Sequence, residues 1–257
     1  MSKYHSAKPS YKASQNFLTS ARTIRRLLNY TTIQPGDSVV EIGAGKGHIT
    51  RELLKRCGSV YAYEIDPELI AGLRSSLTPN PSLKLIPGDF LAAKLPLEPY
   101  KVFSNIPFYI TTPIMKKLIQ AHNKPLAMWL VMECNAARRL IGGGCLTSLE
   151  ILPFYHAKIA HFFRREDFHP MPGVDAVLVQ FIFKSIPDVS PEQKKDYRAF
   201  LTRCMKYGLY SSRSPLTKKQ ISTALTMARL PQIERSGGIL YVQWLCLFRC
   251  FLQLGKR

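Results

Sequence analysis

Acidic residues are the scarce class in this chain. Seventeen Asp and Glu face 36 Lys and Arg over 257 residues, a formal charge of +19 with a pI near 9.8. A field of that sign draws polyanions, so RNA or DNA leads as partner and an anionic membrane surface is the rival. Long apolar runs are missing too. The longest, Ile239 to Phe248, is broken by Gln243 and is about half of a membrane span, which leaves the rival without an anchor. Met1 to Asn16 is polar and has no signal-peptide core, so a cytoplasmic protein is expected. The six cysteines, at 57, 134, 145, 204, 246 and 250, form no Cys-x-x-Cys pair. They read as reduced thiols, with Cys246 and Cys250 at a helical spacing that suits packing. The six histidines show no metal spacing, so no metal is expected. There is no internal repeat or low-complexity tract, and a 46% hydrophobic fraction argues against wholesale disorder.

Basic charge is plentiful and uneven. Residues 1–183 carry 22 basic and 13 acidic side chains, whereas residues 184–257 carry 14 and 4. A break falls at Lys184-Ser185-Ile186-Pro187-Asp188-Val189-Ser190-Pro191, whose prolines and turn formers mark a linker. The expected domains are therefore 1–186 and 187–257. Before the break, apolar strands alternate with amphipathic helices, the pattern of an α/β fold with a mostly parallel sheet. The strand candidates are Ser38–Ile42, Val60–Tyr63, Leu83–Ile86, Lys101–Ser104, Ala127–Met132 and Ala176–Phe183. Helices are expected at 49–56, 67–77 and 112–121. Beyond Pro191 only helices are expected, at 192–207, 218–228 and 241–254, so the second domain is small, all-helical and basic.

Glu41-Ile42-Gly43-Ala44-Gly45-Lys46-Gly47 ends the first strand with glycine at alternate positions, where a chain can turn sharply and a ligand can approach the backbone. Glu64 closes the second strand 21 residues after Gly43, where a carboxylate can accept from both ribose hydroxyls. Asp89 follows the third strand, placed to accept from an adenine amine. The spacing departs by one residue from the dinucleotide fingerprint. A nicotinamide-dinucleotide site is thus the runner-up to S-adenosylmethionine.

Asn105-Ile106-Pro107-Phe108 supplies a carboxamide, a stiffened turn and a ring. Adenine N6 is a poor nucleophile because its lone pair is delocalised. The Asn105 side-chain oxygen and the Ile106 carbonyl could accept from that amine, with Pro107 fixing the turn and Phe108 stacking on the base.

Those segments, together with Ser14 to Ser20, Glu64-Ile65-Asp66, Gly88-Asp89 and Phe168-His169-Pro170, resemble the rRNA adenine N6-dimethyltransferase superfamily. Leu216 to Gln220 and the ending from Leu247 to Arg257 resemble its Erm branch, which dimethylates a large-subunit rRNA adenine and confers macrolide, lincosamide and streptogramin B resistance. The resemblance implies a Rossmann-like domain with a seven-stranded sheet. It implies S-adenosylmethionine contacts from Asn16, Leu18, Gly43, Gly45, Glu64, Ile65, Asp89, Phe90 and Asn105. Phe168 would cover the target base opposite Phe108, where tyrosine is common in the family. Arg138-Arg139, Lys116-Lys117 and Arg164-Arg165 are candidate phosphate contacts, and protein-free or precursor large-subunit rRNA is the expected partner of a monomer. Two alternatives stand beside this reading. One is the relative that dimethylates small-subunit rRNA, toward which Thr111-Thr112-Pro113-Ile114 leans. The other is a non-catalytic nucleic-acid-binding protein on the same scaffold.

Overall fold

The computed structural model describes residues 16–234 and 238–254. In chain order its strands and helices are β1 (Phe17–Leu18), α1 (Ala21–Leu28), β2 (Ser38–Ile42), α2 (His48–Leu54), β3 (Ser59–Glu64), α3 (Pro67–Leu77), β4 (Leu83–Pro87), β5 (Tyr100–Asn105), α4 (Thr111–Gln120), β6 (Ala127–Glu133), α5 (Cys134–Ile141), α6 (Leu146–Ile151), β7 (Tyr155–Phe162), β8 (Phe168–His169), β9 (Ala176–Phe183), α7 (Lys194–Tyr207), α8 (Lys218–Met227) and α9 (Tyr241–Leu254). Seven strands form one sheet in the order β4-β3-β2-β5-β6-β9-β7. The pairs among β4, β3, β2, β5 and β6 are parallel, and β9 joins β6 antiparallel.

Local chemistry sets these boundaries. Asp66 caps α3 by accepting from Glu68 N, and Pro67 occupies the first turn, where no donor is wasted. At α8, Thr217 and Gln220 exchange side-chain-to-backbone bonds in a capping box. Six consecutive residues of β6, Ala127 to Met132, are buried, so this strand reads as a continuous apolar run rather than an alternating one. The seventh sheet strand, β7, was not among the candidates read from sequence. Its Tyr-His-Ala-Lys-Ile-Ala-His-Phe run interleaves small and polar side chains and is only partly buried over most of its length.

The topology places a crevice. β2 pairs with β3 on one side and β5 on the other, so the sheet reverses its winding there. The β2–β5 register is kept from Ser38↔Tyr100 to Val40↔Val102. Past that point the Ser104 hydroxyl donates to Ile42 O at 2.5 Å and accepts from Ile42 N at 3.2 Å. Carboxyl ends of strands at such a reversal are where open α/β sheets bind ligands.

The described residues divide into two compact units, one within Met1–Ala137 and Lys158–Ile182, the other within Arg138–Ala157 and Phe183–Arg257. The second thus draws in a segment lying well before the compositional break at 186/187. Its core joins Tyr197, Phe200 and Leu201 of α7 to Trp244, Leu247 and Phe248 of α9. The proline-rich break is fastened within that unit: Asp188 N donates to Pro153 O, while the Asp188 carboxylate takes Lys184 Nζ at 2.5 Å and the Tyr241 hydroxyl at 2.6 Å. All six cysteines are free thiols. Burial pushes Cys57 up to about 11 and Cys204 up to about 12, which makes both poor nucleophiles. Among the described residues, no helix is long and apolar enough to cross a membrane, and no His, Cys, Asp and Glu group could hold a metal.

Candidate active site

The pocket at the strand ends is lined by the glycine turn, the end of β3, the turn after β5 and the chain entering β1. Gly43, Gly45 and Gly47 all have positive φ. At Gly45 the reason for glycine is also spatial, because an added Cβ would lie 2.6 Å from Cε1 of Phe17. The turn is bent over β3 by hydrogen bonds from Gly43 N and Ala44 N to Tyr63 O.

Glu64 is 4% exposed and holds this corner together. Its Oε2 accepts from Gly45 N at 2.8 Å, and its Oε1 accepts from Ile65 N and Asp66 N at 2.8 and 2.9 Å. A carboxylate has about four acceptor directions, so one on Oε2 remains for a ligand hydroxyl. The expectation of two ribose hydroxyls on this side chain meets that limit. Behind the turn, Glu41 is 1% exposed and takes the Thr50 hydroxyl at 2.6 Å. Burial raises its pKa to about 8; the Thr50 bond opposes the rise and the Glu64 charge adds to it.

Asn105 ends β5, and its Nδ2 donates to Asn16 O at 2.6 Å. With the amide nitrogen committed, Oδ1 is oriented away as an acceptor. Pro107 leads into a single 3₁₀ turn, Phe108–Ile110, closed by Ile110 N on Pro107 O and by the Thr111 hydroxyl on Phe108 O.

Of the residues expected from sequence, Asn16, Gly43, Gly45, Glu64, Ile65, Asn105, Ile106, Pro107 and Phe108 come together in this pocket. Ser14 and Gln15 of the quoted motif lie outside the described residues. Four others stand apart from the pocket lining. Leu18 is 2% exposed and belongs to the core. Adjacent residues of a strand face opposite sides, and it is Phe17 that faces the pocket. Asp89 is exposed, with Oδ1 accepting from Leu91 N, although Gly88 N on Glu64 O keeps its turn beside the β3 corner. Phe90 is buried edge-on against Tyr63, with ring centroids 5.2 Å apart. Phe168 is 3% exposed, pairs with Leu18 in the β1–β8 ladder and packs edge-on against Phe163. In this conformation it braces the arm from the core and does not cover the pocket.

Sequence reasoning passed over Phe17 and Tyr109, both of which line the pocket; Tyr109 is half exposed. The signal for Tyr109 was its place directly after the Asn-Ile-Pro-Phe turn. Among the phosphate candidates, Lys117 is committed elsewhere: Nζ donates to Leu91 O and Ala93 O. Arg165 pairs with Asp175 at 3.1 Å, while Lys116, Arg138, Arg139 and Arg164 are exposed.

A mostly parallel sheet with an alternate-glycine turn, a strand-end acid and a carboxamide at the next switch strand fits a methyltransferase. The profile of the ribosomal RNA adenine dimethylase family matches residues 4–232. An rRNA adenine N-6-methyltransferase of Lysinibacillus sphaericus is 34% identical over 245 residues, covering 95% of this chain and 97% of that protein. The ribosomal RNA small subunit methyltransferase A of Moorella thermoacetica is 32% identical over 249 residues, covering 90% and 85%. The crystal structure of the 23S rRNA methyltransferase ErmE superposes with a TM-score of 0.80 at 27% identity, covering 93% of this chain and 100% of that one. The chain belongs to the ribosomal RNA adenine dimethylase family. It is an rRNA adenine N6-methyltransferase, a class whose methyl donor is S-adenosylmethionine.

Proposed function

We propose that this enzyme methylates N6 of one adenine in large-subunit rRNA, as an Erm-type protein conferring macrolide, lincosamide and streptogramin B resistance from the cytoplasm. The observation that carries the reaction is the Asn105 carboxamide, which lines the same pocket as the glycine turn and has its nitrogen committed to Asn16 O. The likeness to ErmE over that whole chain supports the large-subunit target.

The pocket suits S-adenosylmethionine on two observations: a glycine cradle that a Cβ would fill, and a buried carboxylate with one acceptor direction left. When bound, that molecule supplies an activated methyl on a sulfonium. The residues of the chain do the rest. Gly43, Gly45 and Ile65 shape the wall, Glu64 accepts from one ribose hydroxyl, and Asp89 lies beyond it on the side assigned to the cofactor adenine. Asn105 Oδ1 and the Ile106 carbonyl accept from the target amine, which favours a pyramidal nitrogen with its lone pair available. Phe108 stacks on the base, and Tyr109 stands at the pocket mouth where a phenol is available despite phenylalanine at 108. We assign catalysis to the domain 1–186 and RNA holding to 187–257, acting as a monomer.

The test is methyl transfer from labelled S-adenosylmethionine to protein-free rRNA. Label on large-subunit RNA and raised macrolide tolerance in a sensitive host are expected. Label confined to small-subunit RNA would instead favour the second reading, which the likeness to the Moorella thermoacetica enzyme supports.

A further inference from the structure

Helix α7 carries five basic residues and one acid, Asp196. Its inner face, Tyr197, Phe200, Leu201 and Cys204, is buried in the core of the second unit. The opposite face, with Lys195, Arg198, Arg203 and Lys206, lines an open groove that ends at Tyr207. Opposite charges at i, i+4 would let a helix face neutralise itself; the charged residues on this face are all basic.

How these cations are held matters more than their number. Arg198 has a carboxylate partner, Glu150, at 2.8 Å. Arg203 is positioned by a neutral group instead, its Nε donating to Arg213 O at 3.0 Å. Lys206 and Arg213 both sit against the Tyr207 ring, 5.0 and 5.3 Å from its centroid. An aromatic face orients a cation without cancelling its charge. The groove is therefore preorganised and left electropositive. From Lys195 to Lys206 the helix runs roughly 16 Å at about 1.5 Å per residue, long enough to lie along several phosphates of one strand.

We propose that this α7 groove binds an RNA phosphodiester backbone, with Lys195, Arg203 and Lys206 contacting phosphates along one strand and Tyr207 acting as the positioning residue for Lys206 and Arg213. The inference takes the identity of the strand from the rRNA-substrate reading, but its site is separate from the methyl-transfer pocket.

The experiment measures affinity of the full chain for a protein-free rRNA fragment across a salt series. Each phosphate contact contributes about 0.7–0.9 to the slope of log K against log salt. Replacing two contacts in the double variant Lys195→Gln, Lys206→Gln should lower the slope by about 1.4–1.8 and weaken binding about tenfold at moderate salt. Tyr207→Ala should weaken binding at unchanged formal charge. Removing two charges from the other unit, in Lys55→Gln with Arg74→Gln, should leave the slope within half of that change. Thermal midpoints of all variants check folding. A wild-type slope and affinity in both the double variant and Tyr207→Ala would overturn the proposal. So would loss of binding to anionic phospholipid vesicles while RNA affinity is untouched. Methyl transfer is not part of this readout, so failure to methylate large-subunit rRNA would sink the functional reading and leave the groove standing.

Discussion

Asn105 Nδ2 and the Asn16 carbonyl meet at 2.6 Å across 89 positions of sequence. This bond fastens the entering chain to the switch strand and commits the nitrogen end of the carboxamide. The oxygen is the end left to act as an acceptor.

Asn105→Ala removes that acceptor and leaves the Asn16 carbonyl without its donor. Methyl incorporation should fall by about 10²–10³-fold, the scale of losing one aimed polar group at a reacting centre. RNA affinity should stay within about twofold, since a single neutral side chain carries none of the salt-dependent term. Full incorporation by the variant would remove Asn105 from the chemistry.

Glu64→Gln replaces one carboxylate oxygen by an amide nitrogen. With Gly45, Ile65 and Asp66 all donating to this side chain, a donor must then face a donor. Unpairing one buried N–H costs about 1–3 kcal/mol, readable by denaturant unfolding. Calorimetry should show S-adenosylmethionine affinity reduced tenfold or more. Unaltered affinity would mean that Glu64 holds the turn and not the ligand.

Gly45→Ala and Gly72→Ala should move stability in opposite directions. At Gly45, φ is +57° and the new methyl would strike the Phe17 ring, so strain of about 1–2 kcal/mol adds to displacement of a pocket wall. Gly72 lies within α3 with nothing near its would-be Cβ, and alanine there should add about 0.5–1 kcal/mol. Thermal melts of the two variants, with cofactor titration of the first, check both.

The fold was readable where a single physical rule dominates. Pro67 to Leu77 and Tyr241 to Leu254 have the bounds expected from sequence, because a capped Pro start and a sustained apolar stripe leave little choice. Strand β7 escaped because its run interleaves small and polar side chains and buries little of its length, so no apolar pattern marks it. At the site, residues dictated by backbone geometry were legible: Gly43, Gly45, Asn105 and Pro107 all reach the pocket. The choice of face in a two-residue strand was not. Leu18 and Phe17 differ only in which side of the β1–β8 ladder they point to, a matter decided by Phe168 on the core side. Phe168 itself shows the same limit, since an aromatic beside Phe163 serves a core as readily as a base stack.

Tyr241→Phe deletes the hydroxyl that meets Asp188 Oδ2 at 2.6 Å and leaves Lys184 as the remaining partner on that oxygen. Burial alone would raise the Asp188 pKa, but the Lys184 and Tyr241 hydrogen bonds outweigh it and hold it below the usual value. Losing a hydrogen bond to a charged group should cost about 1.5–3 kcal/mol. Hydrogen exchange at the 183–191 segment should speed up before that at α3 does. Equal acceleration in both would mean that the two units unfold together.

Glu41 should give the stability curve an unusual slope. In the unfolded chain its carboxyl titrates near 4.5, whereas burial holds the native proton up to about 8. Between those values the native state binds the proton that the unfolded state has released, so stability falls as pH rises. The contribution is complete below about 4.5 and is lost progressively toward 8. One such group changes stability by at most about 1.4 kcal/mol per pH unit. Glu41→Gln keeps an oxygen for the Thr50 hydroxyl and removes the titration. Unfolding free energies measured from about pH 5 to about pH 8 should therefore decline more gently in the variant than in the parent. If both decline in parallel, Glu41 enters the native state ionised and the corner behind the glycine turn is held by a charge.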